Sequence, residues 1–302
     1  MSSVVKDQSH SSDALRAPRE VFTTSDGWRL SYYADSSHQG RPLVLIHSIN
    51  AASSSFEMRP LFEHYRQSRP VYSLDLPGFG HSERRETGYS PERYAQAIAE
   101  FLDTVVREPA DLIALSLSAE FAARAARDAP ERFASLVLIS PTGFGSQSLP
   151  RPSAARLISG LVKRPVLSQR IYDLVASRPS IRYFLGRSFV GRIPDEMVAY
   201  AHATSHQPGA RHAPLTFLST GLFSAEPMDR LYAKLGNLPV LAIADQDPYI
   251  DFARLPAFVA AHPSWRMLAL APHRGLPHWE KPGETFTALD DFWASGRLRN
   301  AA

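Results

Sequence analysis

Asp111-Leu112-Ile113-Ala114-Leu115-Ser116-Leu117-Ser118-Ala119-Glu120-Phe121 opens as an apolar run, stops at a serine set among small residues, and turns helical. Five residues of strand character precede Ser116, and Glu120-Phe121-Ala122-Ala123-Arg124-Ala125-Ala126 follows with high helix propensity. The pattern predicts a strand, a sharp turn at the serine and a helix. Such an elbow projects the serine hydroxyl from the carboxyl end of the strand, beside the N-terminus of a helix. Ala114 and Ser118 stand where glycines commonly relieve the turn. A plainer reading makes Ser116 an ordinary small residue in a tight bend.

Working outward, apolar runs alternate with helical patterns. Upstream, Glu20 to Thr24 and Trp28 to Ala34 read as two strands joined through Ser25-Asp26-Gly27, a hairpin signal. Pro42 to Ser48 and Pro70 to Leu76 read as strands buried on both faces. Helices are expected around Phe56 to Gln67 and from Pro91 to Val106. Downstream, Ala134 to Ser140 is a further apolar strand; the rhythm resumes with strands at Pro239 to Asp245 and Arg266 to Ala271 and helices at Phe252 to Ala261 and Glu284 to Trp293. This alternation predicts an α/β fold built on a mostly parallel, doubly wound sheet.

Between the two strand-forming stretches, apolar residues recur at helical spacing, as in Ile158-Leu161-Val162 and Ile171-Leu174-Val175, punctuated by Pro150, Pro152, Pro165, Pro179 and Pro194. The expected organisation is a flexible N-terminal arm over 1–19, a core formed by 20–145 and 228–296, and a helical cap inserted over 146–227. From Arg151 to Arg211 there are ten Lys or Arg against three acids; the net charge of the whole chain is +3, which leaves −4 for the remainder. Such a patch attracts an anionic ligand, an acidic partner or a membrane surface, or is simply a solvated helical face.

The 302 residues include no cysteine, which excludes a disulfide framework, a thiol nucleophile and thiolate metal ligation. No run approaches the ~18 apolar residues of a membrane helix, so no transmembrane segment is expected. Residues 1–19 are polar and Ser-rich, without the apolar centre of a signal peptide. A cytoplasmic location is the expectation. No H-E-x-x-H spacing suggests a metal site, and Gly78-Phe79-Gly80 lacks the third glycine of a dinucleotide loop. No cofactor and no nucleic-acid partner are expected; oligomeric state is unreadable.

Four stretches, in order, resemble the α/β-hydrolase superfamily, specifically its cap-bearing serine hydrolases. They are Leu43-Val44-Leu45-Ile46-His47-Ser48, similar to the strand that ends in His-Gly; Asp75-Leu76-Pro77-Gly78-Phe79-Gly80-His81-Ser82; the elbow at Ser116; and Glu280-Lys281-Pro282, similar to the Glu-x-Pro after the catalytic histidine. The resemblance runs from about Glu20 to Trp293. It implies Ser116 as nucleophile, the backbone amides of Leu117 and Ile49 as the oxyanion hole, and Asp247, in Ala244-Asp245-Gln246-Asp247-Pro248, as the carboxylate that orients a base. Asp245 and Asp251 are nearby substitutes. His47 is implied to hold its loop, and Ser118 to fill a glycine place. An aspartate at the elbow, as in dehalogenases and epoxide hydrolases of this fold, is ruled out by Ser116.

The base departs from the family pattern. Aligned without a gap, Gly275 stands where the catalytic histidine belongs. His278, three residues on, is the first candidate for the base and His273, two residues before, the alternative; each could equally be a packing or solvent-facing residue. The expected function is cleavage of an ester or related acyl bond of a small, partly apolar substrate under the cap. The alternative is a hydrolase-like protein without hydrolytic activity that binds a ligand or partner.

Overall fold

The computed structural model describes residues 5–7, 13–146 and 165–300. Among the described residues, nine strands form one sheet: β1 (Val5–Asp7), β2 (Arg19–Thr23), β3 (Arg29–Asp35), β4 (Leu43–Ile46), β5 (Val71–Leu74), β6 (Ala110–Leu115), β7 (Phe133–Ile139), β8 (Val240–Ile243) and β9 (Trp265–Leu268). Their order is β1-β2-β3-β5-β4-β6-β7-β8-β9. The first three are antiparallel neighbours, β3 pairs antiparallel with β5, and every pairing from β5 onward is parallel. The expected doubly wound α/β sheet is therefore present.

Period-two alternation explains why the central strands read as continuous apolar runs. Val44, Ile46, Leu112, Ala114, Leu136 and Leu138 belong to a core shared with helices α2 (Pro91–Phe101) and α3 (Ser118–Asp128). Leu43, Leu45, Ile113, Leu115, Val137 and Ile139 belong to a second core, on the opposite face, with α1 (Arg59–Tyr65) and the closing helix Pro282–Asn300. A strand covered by helices on both sides has no polar face to display. At the amino end of β6, the buried Asp111 is compensated by Arg69 at 2.5 Å and by the Ser135 hydroxyl at 2.6 Å.

Of the N-terminal segment, residues 5–7 and 13–19 are described. Val5–Asp7 pairs with β2, and Ala14 and Leu15 are buried in the second core. The Ala14 amide donates to the Tyr33 hydroxyl at 3.1 Å, and Arg59 Nε donates to the Ala14 carbonyl at 2.9 Å. Two small apolar residues in a polar stretch are too weak a sequence signal to reveal this docking.

Between β7 and β8 stand helices α4 (Pro165–Val175), α5 (Arg178–Gly186), α6 (Asp195–Ser205) and α7 (His212–Leu218). Arg151, Arg156, Lys163 and Arg164 of the basic stretch lie outside the described residues. Several of the rest have partners: Arg182 and Arg192 both pair with Asp195, Arg187 lies over Tyr249, and Arg211 donates to Gln169. No described helix is long and apolar enough to cross a membrane.

Candidate active site

Ser116 is the hinge between β6 and α3, with φ at +58°. Left-handed backbone is uncommon for a residue with a β-carbon and costs about 1–2 kcal/mol. Two hydrogen bonds hold the turn: the Ser116 amide donates to the Ile139 carbonyl at 2.8 Å, and the Ala119 amide donates to the Ser116 carbonyl at 3.0 Å. Ser118 does what the missing glycine could not, since its buried hydroxyl donates to the His47 carbonyl at 2.6 Å and ties the elbow to the loop after β4. His47 itself is buried and clamped by both ring nitrogens: Nδ1 donates to the Ser48 carbonyl, while Nε2 accepts from the Leu76 amide at 3.0 Å.

Ser116 opens into a cavity of about 390 Å³. Its floor is polar, formed by Ser48, Asn50, Glu57, Ser116, Ser140 and Asp247; its walls are apolar and include Val175, Ile181, Phe184, Leu185, Phe217 and Leu218 from the helices between β7 and β8. Ile49 lines the cavity too, and among the described residues neither its amide nor that of Leu117 has an acceptor. Two amides free to donate beside a serine are suited to an oxyanion.

The loop that carries the Ile49 amide is held by Glu57, a residue that sequence reading did not single out. The Glu57 carboxylate accepts from the Ser48 amide at 2.8 Å, the Ser48 hydroxyl at 3.1 Å and Asn50 Nδ2 at 2.8 Å. Ser48 thus has a use for its side chain where the family has glycine. An acid between Phe56 and Met58, inside an apolar stretch, was the available signal.

Asp247 is the one member of the trio Asp245, Asp247 and Asp251 that lines the cavity. Asp251 accepts instead from Ser146 and Ala253, and Asp245 from the His273 amide. Asp247 Oδ1 takes the amides of Tyr249 at 2.8 Å and Ile250 at 3.1 Å. Burial outweighs those two bonds and pushes its carboxyl up to about 6, since removal from water penalises the charged form.

Neither candidate histidine reaches this cavity. His278 is fully buried; its Nε2–H donates to the Glu57 carbonyl at 2.9 Å, and burial pulls the ring down to about 4. Together with Trp279 Nε1, 2.7 Å from the same carbonyl, it braces the segment that carries Glu57. His273 does not face solvent: it is buried, and its Nδ1 accepts from the Gly275 amide at 3.1 Å. The expectation that one of them serves as the base therefore finds no contact with Ser116 or Asp247 among the described residues. Gly275, in the histidine place, lines the cavity with φ at +110°, and a β-carbon there would lie 2.8 Å from Asp247 Oδ2. Ser140, another residue the sequence did not flag, completes the floor.

A serine on a strained strand-to-helix turn, the residue Ile49 with its unpaired amide and a carboxylate from the loop after β8 line one cavity. The profile of the alpha/beta hydrolase family matches residues 43–289. The chain belongs to this family. Among curated relatives it is 33% identical over 277 residues to the dihydrolipoyllysine-residue acetyltransferase component of the acetoin cleaving system of Cupriavidus necator, covering 89% of this chain and 67% of that one. It is 30% identical over 168 residues to 2-(acetamidomethylene)succinate hydrolase of Mesorhizobium japonicum, covering 55% of each. The chain spans about half the length of other curated relatives it matches, 48% for a hydrolase of Bacillus subtilis. Among solved structures, a serine hydrolase involved in carbazole degradation superposes with a TM-score of 0.73 at 15% identity, covering 91% of this chain and 98% of that one. At that identity the likeness concerns the α/β-hydrolase fold alone.

Proposed function

We propose that this α/β hydrolase cleaves an ester or related acyl bond of a small, partly apolar substrate, with Ser116 as nucleophile. The observation that carries the proposal is the left-handed Ser116 sharing one cavity with the half-buried Asp247 carboxylate. In this reading the amides of Leu117 and Ile49 receive the oxyanion, and Asp247 stabilises the group that takes the serine proton. The helices between β7 and β8 act as a cap whose apolar side chains hold the substrate's hydrocarbon portion. Among the described residues no imidazole lines the cavity, and in this reading the proton acceptor between Ser116 and Asp247 is a small basic group that enters with the ligand.

A fluorophosphonate probe and p-nitrophenyl butyrate test the reading. With imidazole added, wild-type protein should be labelled and Ser116→Ala should not, and imidazole should accelerate ester hydrolysis saturably above the rate with Ser116→Ala. Absence of labelling with and without imidazole, in protein whose melting transition is intact, would sink it. Gly275 favours a second reading, in which the same cavity binds its ligand without hydrolysing it; that outcome would leave ligand binding unchanged in Ser116→Ala.

A further inference from the structure

The corner of the cavity formed by Asp247, Ser140 and Gly275 has more hydrogen-bonding capacity than the chain itself uses. Asp247 Oδ1 is satisfied by two amides, while Oδ2 has no donor among the described residues. No positively charged group contributes to its ionisation there, and a carboxylate without a cation is costly in a partly apolar cavity. Ser140, at the end of β7, is 1% exposed, and its hydroxyl has no hydrogen-bond partner among the described residues although the residue lines the cavity. A β-carbon built on Gly275 would stand 2.8 Å from Asp247 Oδ2 and 3.7 Å from Ser140 Oγ, so both oxygens converge on the face that the absent side chain leaves bare. Apolar side chains of α5 and α7 wall the space beyond.

We propose that this corner is a subsite for a protonatable nitrogen, of the amine or imidazole class, carried by a ligand with an apolar body. The nitrogen donates to Asp247 Oδ2, which gives the carboxylate the cationic partner that the chain withholds. Ser140 Oγ lies within reach of a second N–H or of the nitrogen's substituents. The hydrocarbon part runs toward Phe184, Leu185 and Leu218. The inference rests on the hydrolase reading for what the nitrogen does next to Ser116, whereas its binding does not depend on hydrolysis.

The test compares two ligands of one shape, hexylamine and hexanol, by titration calorimetry on the full chain. Hexylamine should bind wild type about tenfold or more tightly than hexanol, the margin expected of a charge-assisted bond over a neutral one. Asp247→Asn, which retains an oxygen for the Tyr249 and Ile250 amides, should bring the two ligands within about twofold. Ser140→Ala should weaken hexylamine and leave hexanol unchanged. Equal affinity of the two ligands for wild type, or an amine preference that survives in a folded Asp247→Asn variant, would overturn the subsite. Fluorophosphonate labelling of the same preparations with imidazole added reads the hydrolase proposal separately: labelled protein with no amine preference refutes the subsite alone, and unlabelled protein with the preference refutes hydrolysis alone.

Discussion

At φ +110°, Gly275 occupies backbone that residues with a β-carbon avoid, and the place its β-carbon would take lies 2.8 Å from Asp247 Oδ2. A side chain grown from this backbone would therefore start against the Asp247 carboxylate, and putting it back is not a local change. We expect Gly275→His to lose about 1–3 kcal/mol of stability from backbone strain and crowding. We also expect it to gain no hydrolytic rate on p-nitrophenyl butyrate. Denaturant unfolding and a rate assay check both; a rate gain of a hundredfold or more would mean that the loop relaxes and that the clash is unimportant. Ser116 makes the opposite case. Its strain is already present and is held by the Ile139 carbonyl and the Ala119 amide, so Ser116→Gly should stabilise the turn by about 1 kcal/mol, while abolishing fluorophosphonate labelling.

The elbow as an element depends on Ser118 as much as on Ser116. The Ser118 hydroxyl lies 2.6 Å from the His47 carbonyl, and both residues are buried. Ser118→Ala should cost about 1–2 kcal/mol, the penalty of a buried carbonyl left without its donor. A change in stability below about 0.3 kcal/mol would show that the loop rearranges freely. The elements were legible in the sequence because burial on both faces writes them as apolar runs, and because Asp-Gly and Pro-Gly turns punctuate them. Of the residues read as site candidates, Ser116, Ile49 and Asp247 line the cavity, each just beyond the carboxyl end of a strand, where position follows from local backbone. His273 and His278 are close in sequence to the histidine place, but their directions are set by distant partners, the Glu57 carbonyl 221 residues away among them. Glu57 and Ser140 carry no motif at all; they become part of the floor because separate loops converge there.

For the molecule as a whole, the buried His278 and the half-buried Asp247 pull stability in opposite directions as pH falls. His278 drops from 6.5 to about 4, so the folded state binds its proton less readily than the unfolded chain. Its contribution is intact above the unfolded value and is lost as pH falls from about 6.5 toward 4, to a total of roughly 3 kcal/mol. Asp247 rises from 3.8 to about 6, so its folded state binds the proton more readily. That group favours folding below the unfolded value, and the advantage disappears as pH rises through about 6. At pH 8 the charged Asp247 therefore weighs against the fold, by about 2 kcal/mol after allowance for solvent in the cavity. Asp247→Asn should then be more stable than wild type at pH 8 by about that amount, and the gap should close by pH 4. His278→Leu should behave in the reverse sense, its stability relative to wild type constant above pH 7 and increasing steadily as pH falls toward 4. Urea unfolding of the three proteins at half-unit intervals of pH reads both slopes, and a difference between either variant and wild type that does not vary with pH would refute the burial assigned to that group.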